Sequence, residues 1–114
     1  MNESNEQKPD FDLAQAKTMV NKRVLIGLSY YDHTGKFIEQ KQMHGIVTNV
    51  GHNGFIVNLE GSNDGKTYQL PPDLRSFREA APGTYREHST GDEIIDPDYL
   101  VTWAVTKPAP EWKK

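Results

Sequence analysis

Phe37-Ile38-Glu39-Gln40-Lys41-Gln42-Met43-His44-Gly45-Ile46-Val47-Thr48-Asn49-Val50 is the stretch whose alternation decides the fold. Up to Met43 the bulky residues fall on odd positions, and after Gly45 they resume on even ones at Ile46, Thr48 and Val50. Successive strand side chains point to opposite faces, so this change of phase needs one extra residue, which a β-bulge or glycine kink supplies. The reading places that kink at His44-Gly45. A strand bent in this way can serve two sheets, which is how a small barrel closes.

The neighbouring residues extend the pattern. Val24, Ile26, Leu28 and Tyr30 form one face of a preceding strand, and Asp32-His33-Thr34-Gly35 supplies its turn. Asn53-Gly54 reads as a two-residue hairpin loop leading into Phe55, Val57 and Leu59. Asp64-Gly65 repeats the signal, and a two-residue turn there sets Leu59 opposite Leu70 and Glu60 opposite Gln69. Tyr68 and Leu70 then share the face of Phe55, Val57 and Leu59. Pro71-Pro72 stops the sheet, since neither residue donates to a ladder. Asp73 caps one 3-10 or helical turn over 74–78, residues 84–88 form a short strand, and Tyr99 to Thr106 forms the last, with Val101, Trp103 and Val105 on one face. Before the first strand, Asp12 and Gln15 have capping-box spacing and Leu13, Ala16, Met19 and Val20 recur at helical intervals, which predicts a short helix over 12–21.

These elements predict a mainly β domain over 11–107, a small barrel of five to six strands with a short N-terminal helix and one 3-10 turn. A disordered leader over 1–10 and a flexible tail over 108–114 flank it. The order of strand, turn, kinked strand, two tight hairpins, 3-10-like turn and closing strands resembles the SH3-like small barrels, a group that includes Sm-like, Tudor and SH3 domains. More narrowly, Leu70-Pro71-Pro72-Asp73-Leu74-Arg75, Pro82-Gly83-Thr84-Tyr85-Arg86 and Asp96-Pro97-Asp98-Tyr99-Leu100 resemble a family of small bacterial proteins with an SH3-like barrel. The resemblance implies a fold and no activity. The acidic, aromatic-rich first loop of proline-binding SH3 domains, the Tudor aromatic cage and the full Sm RNA-binding motif are absent from the sequence.

Composition narrows the function classes. Among 114 residues there is no cysteine, which removes disulfides, zinc ribbons and thiol nucleophiles together. The formal charge of −3 gives the whole molecule no attraction for polyanions, so nucleic-acid binding would need a local basic patch. Residues 1–9 hold neither a basic nor an apolar signal region, and no apolar stretch approaches the roughly 20 residues that span a bilayer. The expectation is a cytoplasmic protein without a membrane partner.

Candidate sites are few. Asp92, Glu93, Asp96 and Asp98 form the densest acidic group, but their spacing matches no calcium loop. His33, His44, His52 and His88 include no pair four apart, and His88-Ser89 are neighbours that point apart on an extended chain, so neither a metal site nor a catalytic constellation is read here, and no cofactor. Tyr31, with His33 in the adjacent turn, faces outward if the even positions of the first strand face in, and marks a partner-binding region. Arg75, Arg78 and Arg86, interleaved with Phe77 and Tyr85, have the composition of a weak single-strand nucleic-acid patch. Gly45, Asn53, Gly54, Asp64 and Gly65 are read as structural. The leading expectation is a non-catalytic module that binds a protein or peptide through Tyr31 or an exposed strand edge, which could also pair copies of the chain. The alternative is RNA or single-stranded DNA binding through Arg75, Arg78, Tyr85 and Arg86; a small metal-dependent enzyme using the acidic loop comes third.

Overall fold

A computed structural model describes residues 12–108. The expected leader and the tail from 109 onward, including Trp112, lie outside the described residues. The protein is mainly β: helix α1 (Leu13–Lys17) is followed by β1 (Arg23–Tyr31), β2 (Phe37–Gly51), β3 (Gly54–Leu59), β4 (Thr67–Leu70), β5 (Phe77–Glu79), β6 (Thr84–Arg86), β7 (Glu93–Ile95) and β8 (Tyr99–Thr106). Six strands form one sheet in the order β4-β3-β2-β1-β8-β5, and β6-β7 form a separate hairpin. All neighbours in the large sheet are antiparallel except β1 and β8, which run parallel.

This sheet is not a closed barrel. β4 and β5 are its two edges and do not pair with each other. It is curled nonetheless: Phe55 on β3 and Phe77 on β5 are four places apart in the strand order, yet their rings lie 4.8 Å apart. The concave side holds the core, in which Val24, Ile26, Leu28, Val47, Phe55, Val57, Leu70 and Val101 are buried, with Ala16 and Met19 added from α1 and the turn after it. Each such aliphatic or aromatic side chain contributes about 1.5–3 kcal/mol by leaving water. The Asp12 carboxylate accepts from the Gln15 amide and starts α1, but the helix ends at Lys17, short of the expected Asn21. Asn21 adopts a positive φ of 76°, and its amide donates to the Val47 carbonyl.

The change of phase in β2 is real but lies elsewhere. The β1-β2 ladder runs unbroken from Arg23 opposite Ile46 to Tyr30 opposite Glu39, so no bulge exists at His44-Gly45. The irregularity falls between Val47 and Asn49 on the β3 side, where Gly45 faces Leu59, Val47 faces Val57 and Val50 faces Phe55. The core face is therefore Met43, Gly45, Val47 and then Val50. Ile46, expected among the core residues, lies on the opposite face. Gly45 is needed for a different reason: a Cβ there would overlap the Asn58 carbonyl across the ladder.

Both hairpins form with shifted registers. The first turn is His52-Asn53, since Gly51 pairs with Gly54, and Gly54 has φ 119° with the Leu70 carbonyl where a Cβ would stand. At the second, Asp64-Gly65 is not a two-residue turn; a 3-10 turn at Gly61–Asn63 lengthens the loop and Phe55, not Leu59, faces Leu70. The displacement is four residues, an even number, so Tyr68 and Leu70 keep the expected face. The turn after Asp73 is the 3-10 element Leu74–Ser76.

Gly45→Val should lower stability by about 1–3 kcal/mol, the usual range for overpacking, read as a lower denaturant midpoint. An unchanged midpoint would show that β2 and β3 can separate at no cost.

Candidate functional site

The convex side of the large sheet carries the polar chemistry. Val24, Leu25 and Ile26 are buried in succession, so β1 is covered on both faces at this level. The loop between β6 and β7 is attached to this second face through His44, which stands opposite Leu25.

His44 is 6% exposed and Glu87 fully buried. The His44 ring meets Glu87 through Nδ1 and Oε2 at 2.7 Å, and the Thr90 hydroxyl donates to Glu87 Oε1 at 2.6 Å. The Glu87 amide donates to the Asp92 carbonyl and the Gly91 amide to the Glu87 carbonyl, so Glu87 and Asp92 close the ends of one tight loop. Asp92 accepts from the Ser62 amide at 2.7 Å and the Ser62 hydroxyl at 2.9 Å. Those two bonds, helped by the charge of His44, hold the Asp92 carboxyl below its ordinary pKa. Gly61 has φ 67°, and a Cβ there would strike the Asp92 carboxylate and the His44 ring, so only glycine fits beside the pair. A second attachment lies at Gln42: the His88 amide donates to its side-chain oxygen, and the Ser89 hydroxyl bridges its backbone N–H and C=O.

One level away, the Arg23 guanidinium makes two bonds to Glu60, 2.9 and 3.1 Å. This pairing lowers the Glu60 pKa and raises that of Arg23.

Before Gln42 in the chain, β2 runs without β3 as its neighbour and pairs with β1, which pairs in turn with β8. Tyr31 is half-buried and its ring meets Phe37 edge-on at 5.8 Å. A shallow groove of about 210 Å³ runs beside it, lined by Gly27, Ser29, Gln40, Thr102 and Ala104. Phe37 and Ile38 are 55% and 44% exposed. His33 sits exposed in the β1-β2 turn, which Asp32 organises by accepting from the Thr34 hydroxyl, the Lys36 amide and the Thr34 amide. Those donors, the Thr34 hydroxyl foremost, bring the Asp32 pKa down to about 2.

The other expected residues are dispersed. Asp73 holds Arg75 in two bonds of 2.9 and 3.0 Å, Arg86 pairs with Glu93 at 2.7 Å, and the Tyr85 hydroxyl donates to the Ala81 carbonyl. Arg78 is exposed on β5, in a different sheet from Tyr85 and Arg86. Phe77 packs between Phe55 and Tyr99. Of the acidic loop, only Asp92 approaches a histidine: Asp96 accepts from the Gly83 amide and Asp98 from the Arg23 amide. Glu87 is the residue that sequence reasoning missed; His44 was weighed among the four histidines but given no partner. Val24-Leu25-Ile26 signals a strand with two covers, but nothing local names the cover.

Comparison with protein-family models, curated proteins and solved structures returns no match for this chain. Among the described residues no helix is long and apolar enough to cross a membrane.

The Asp32 carboxyl has a direct test. A carboxylate whose folded pKa is depressed stabilises the turn above the ordinary value of 3.8 and ceases to do so as the pH falls through about 2. The Thr34 amide resonance should therefore titrate with a midpoint near 2. A midpoint at the ordinary value would mean that these bonds do not persist in solution.

Proposed function

We propose that the protein is a non-catalytic interaction module, built on an SH3-like small-barrel plan left open between β4 and β5, and that it takes an extended peptide as an added strand along β2. One observation carries this reading. β2 spans Phe37–Gly51, but β3 pairs only with residues 45–51, so the earlier half has a neighbour on the β1 side alone among the described residues. Ser89 caps the Gln42 backbone on that open side, which leaves residues 37–41 uncovered.

Edges of this kind attract other strands, and soluble proteins usually blunt them with charge, proline or a covering loop. Here the 87–92 loop covers Gln42 and stops, and Phe37 and Ile38 stand exposed beside the uncovered part. Main-chain bonds to the edge would supply affinity, and contacts with Phe37, Ile38 and Tyr31 selectivity. The open run is five residues, about 17 Å at ~3.4 Å per residue. That is short for a stable pair of copies, whose interface buries roughly 1,200 Å² or more in total, and it suits a transient peptide. Of the basic residues expected to bind nucleic acid, Arg75 and Arg86 are engaged with Asp73 and Glu93, which weakens that alternative.

The Gln42 N–H points away from β1 toward Ser89, and strand alternation puts the Gln40 N–H on the same side. Gln40→Pro therefore removes a donor from the open edge while sparing the β1 ladder. Peptides selected on the wild-type protein from a displayed random library should bind Gln40→Pro about tenfold or more weakly, with the circular dichroism spectrum retained. Equal binding to both proteins, or a library that yields no binder, would reject the reading; a concentration-dependent dimer abolished by Gln40→Pro would replace the peptide with a second copy.

A further inference from the structure

The geometry points to a binding site for one divalent transition-metal cation of the zinc class, held by His44, Glu87 and Asp92. A ring nitrogen of His44 and one carboxylate oxygen each from Glu87 and Asp92 lie within 4.8 Å of one another. One imidazole with two carboxylates is a donor set that zinc accepts, with three protein ligands and a fourth position left for water. Calcium needs six to eight oxygens and magnesium a near-octahedral oxygen shell, so this set disfavours both.

Charge supplies the second argument. Two carboxylates meet one imidazole, and neither Glu87 nor Asp92 has a Lys or Arg ion pair among the described residues. The nearby Arg23 is engaged by Glu60. Even a protonated His44 leaves one negative charge in excess, spread between a wholly buried Glu87 and a half-buried Asp92. A divalent cation removes the excess and takes the place of the proton shared between His44 and Glu87. The supporting bonds already exist: the Thr90 hydroxyl orients Glu87 through its other oxygen, and Ser62 fixes Asp92. Gly61 keeps the space beside the ring and carboxylate clear. The bound ion would fasten the β6-β7 hairpin to the convex face of the sheet, independently of whether a peptide occupies β2.

The test is titration of the intact, chelator-stripped protein with zinc, by calorimetry and by thermal melting. The expected result is one ion per chain and a raised melting temperature, with no response to magnesium or calcium at equal concentration. Loss of a supporting partner alone typically costs metal sites 10–100-fold, so loss of a ligand in Asp92→Asn or His44→Gln should weaken zinc by about 100-fold or more. His33→Ala and His52→Ala should bind as the wild type does. Should His44→Gln fail to fold, Asp92→Asn decides alone, since its amide oxygen can still accept from Ser62. Cobalt in place of zinc should show the strong visible bands of four-coordination. Absence of binding at millimolar zinc, or binding that survives Asp92→Asn, would overturn the assignment, as would its loss in His33→Ala or His52→Ala.

Discussion

β1 is buried on both faces at Val24-Leu25-Ile26, and much of the structure follows from supplying that level with two covers. Its concave face meets the main core. Its convex face, at Leu25, would present apolar surface to water were it not for the loop between β6 and β7, which His44 and Glu87 hold down. A buried histidine–carboxylate contact is a weak source of net stability, because desolvation offsets most of the attraction. It is a strong source of specificity, since loss of either partner leaves the other charged or polar group stranded. The β6-β7 hairpin has two strands of three residues each, too short to persist alone, and it depends on this attachment for its position.

The same attachment divides the convex face into two zones. Around His44 the loop is seated and the polar atoms are bonded to one another. Past Gln42 the loop ends and the sheet continues uncovered, with Tyr31, Phe37 and Ile38 along it. One end of β2 thus serves internal fastening and the other is left available for contact, and the boundary between them is the single residue whose backbone Ser89 bridges.

Sequence periodicity identified what depends on neighbours along the chain. Strands β1 to β4, β6 and β8, the helix start at Asp12, the turn at Asp32 and the face carried by Phe55, Val57, Tyr68 and Leu70 could be read, because each rests on alternation or a local hydrogen bond; the three-residue strands β5 and β7, expected as a turn and a polar loop, could not, so eight strands stand where five to six were expected. Register was less accessible. The loop after Leu59 could hold a 3-10 turn or a two-residue turn without changing which residues face inward, so parity survived and pairing did not. The bulge beyond Val47 was assigned to Gly45 because a glycine is visible in the sequence, whereas the carbonyl that excludes a side chain from it belongs to Asn58. The curl of an unclosed sheet and the meeting of His44 with Glu87, 43 residues apart, are products of tertiary packing that no local pattern encodes.

The parallel pairing of β1 with β8 also bears on how the chain comes to be folded. β1 to β4 form a meander of sequential neighbours, which can assemble by local zippering. The second edge of β1 stays unpaired until residues 99–106 arrive, so during synthesis a long apolar strand waits with one side bare while roughly seventy residues emerge behind it. One of the two central strands of the finished sheet is thus, for that interval, an edge strand open to the wrong partner.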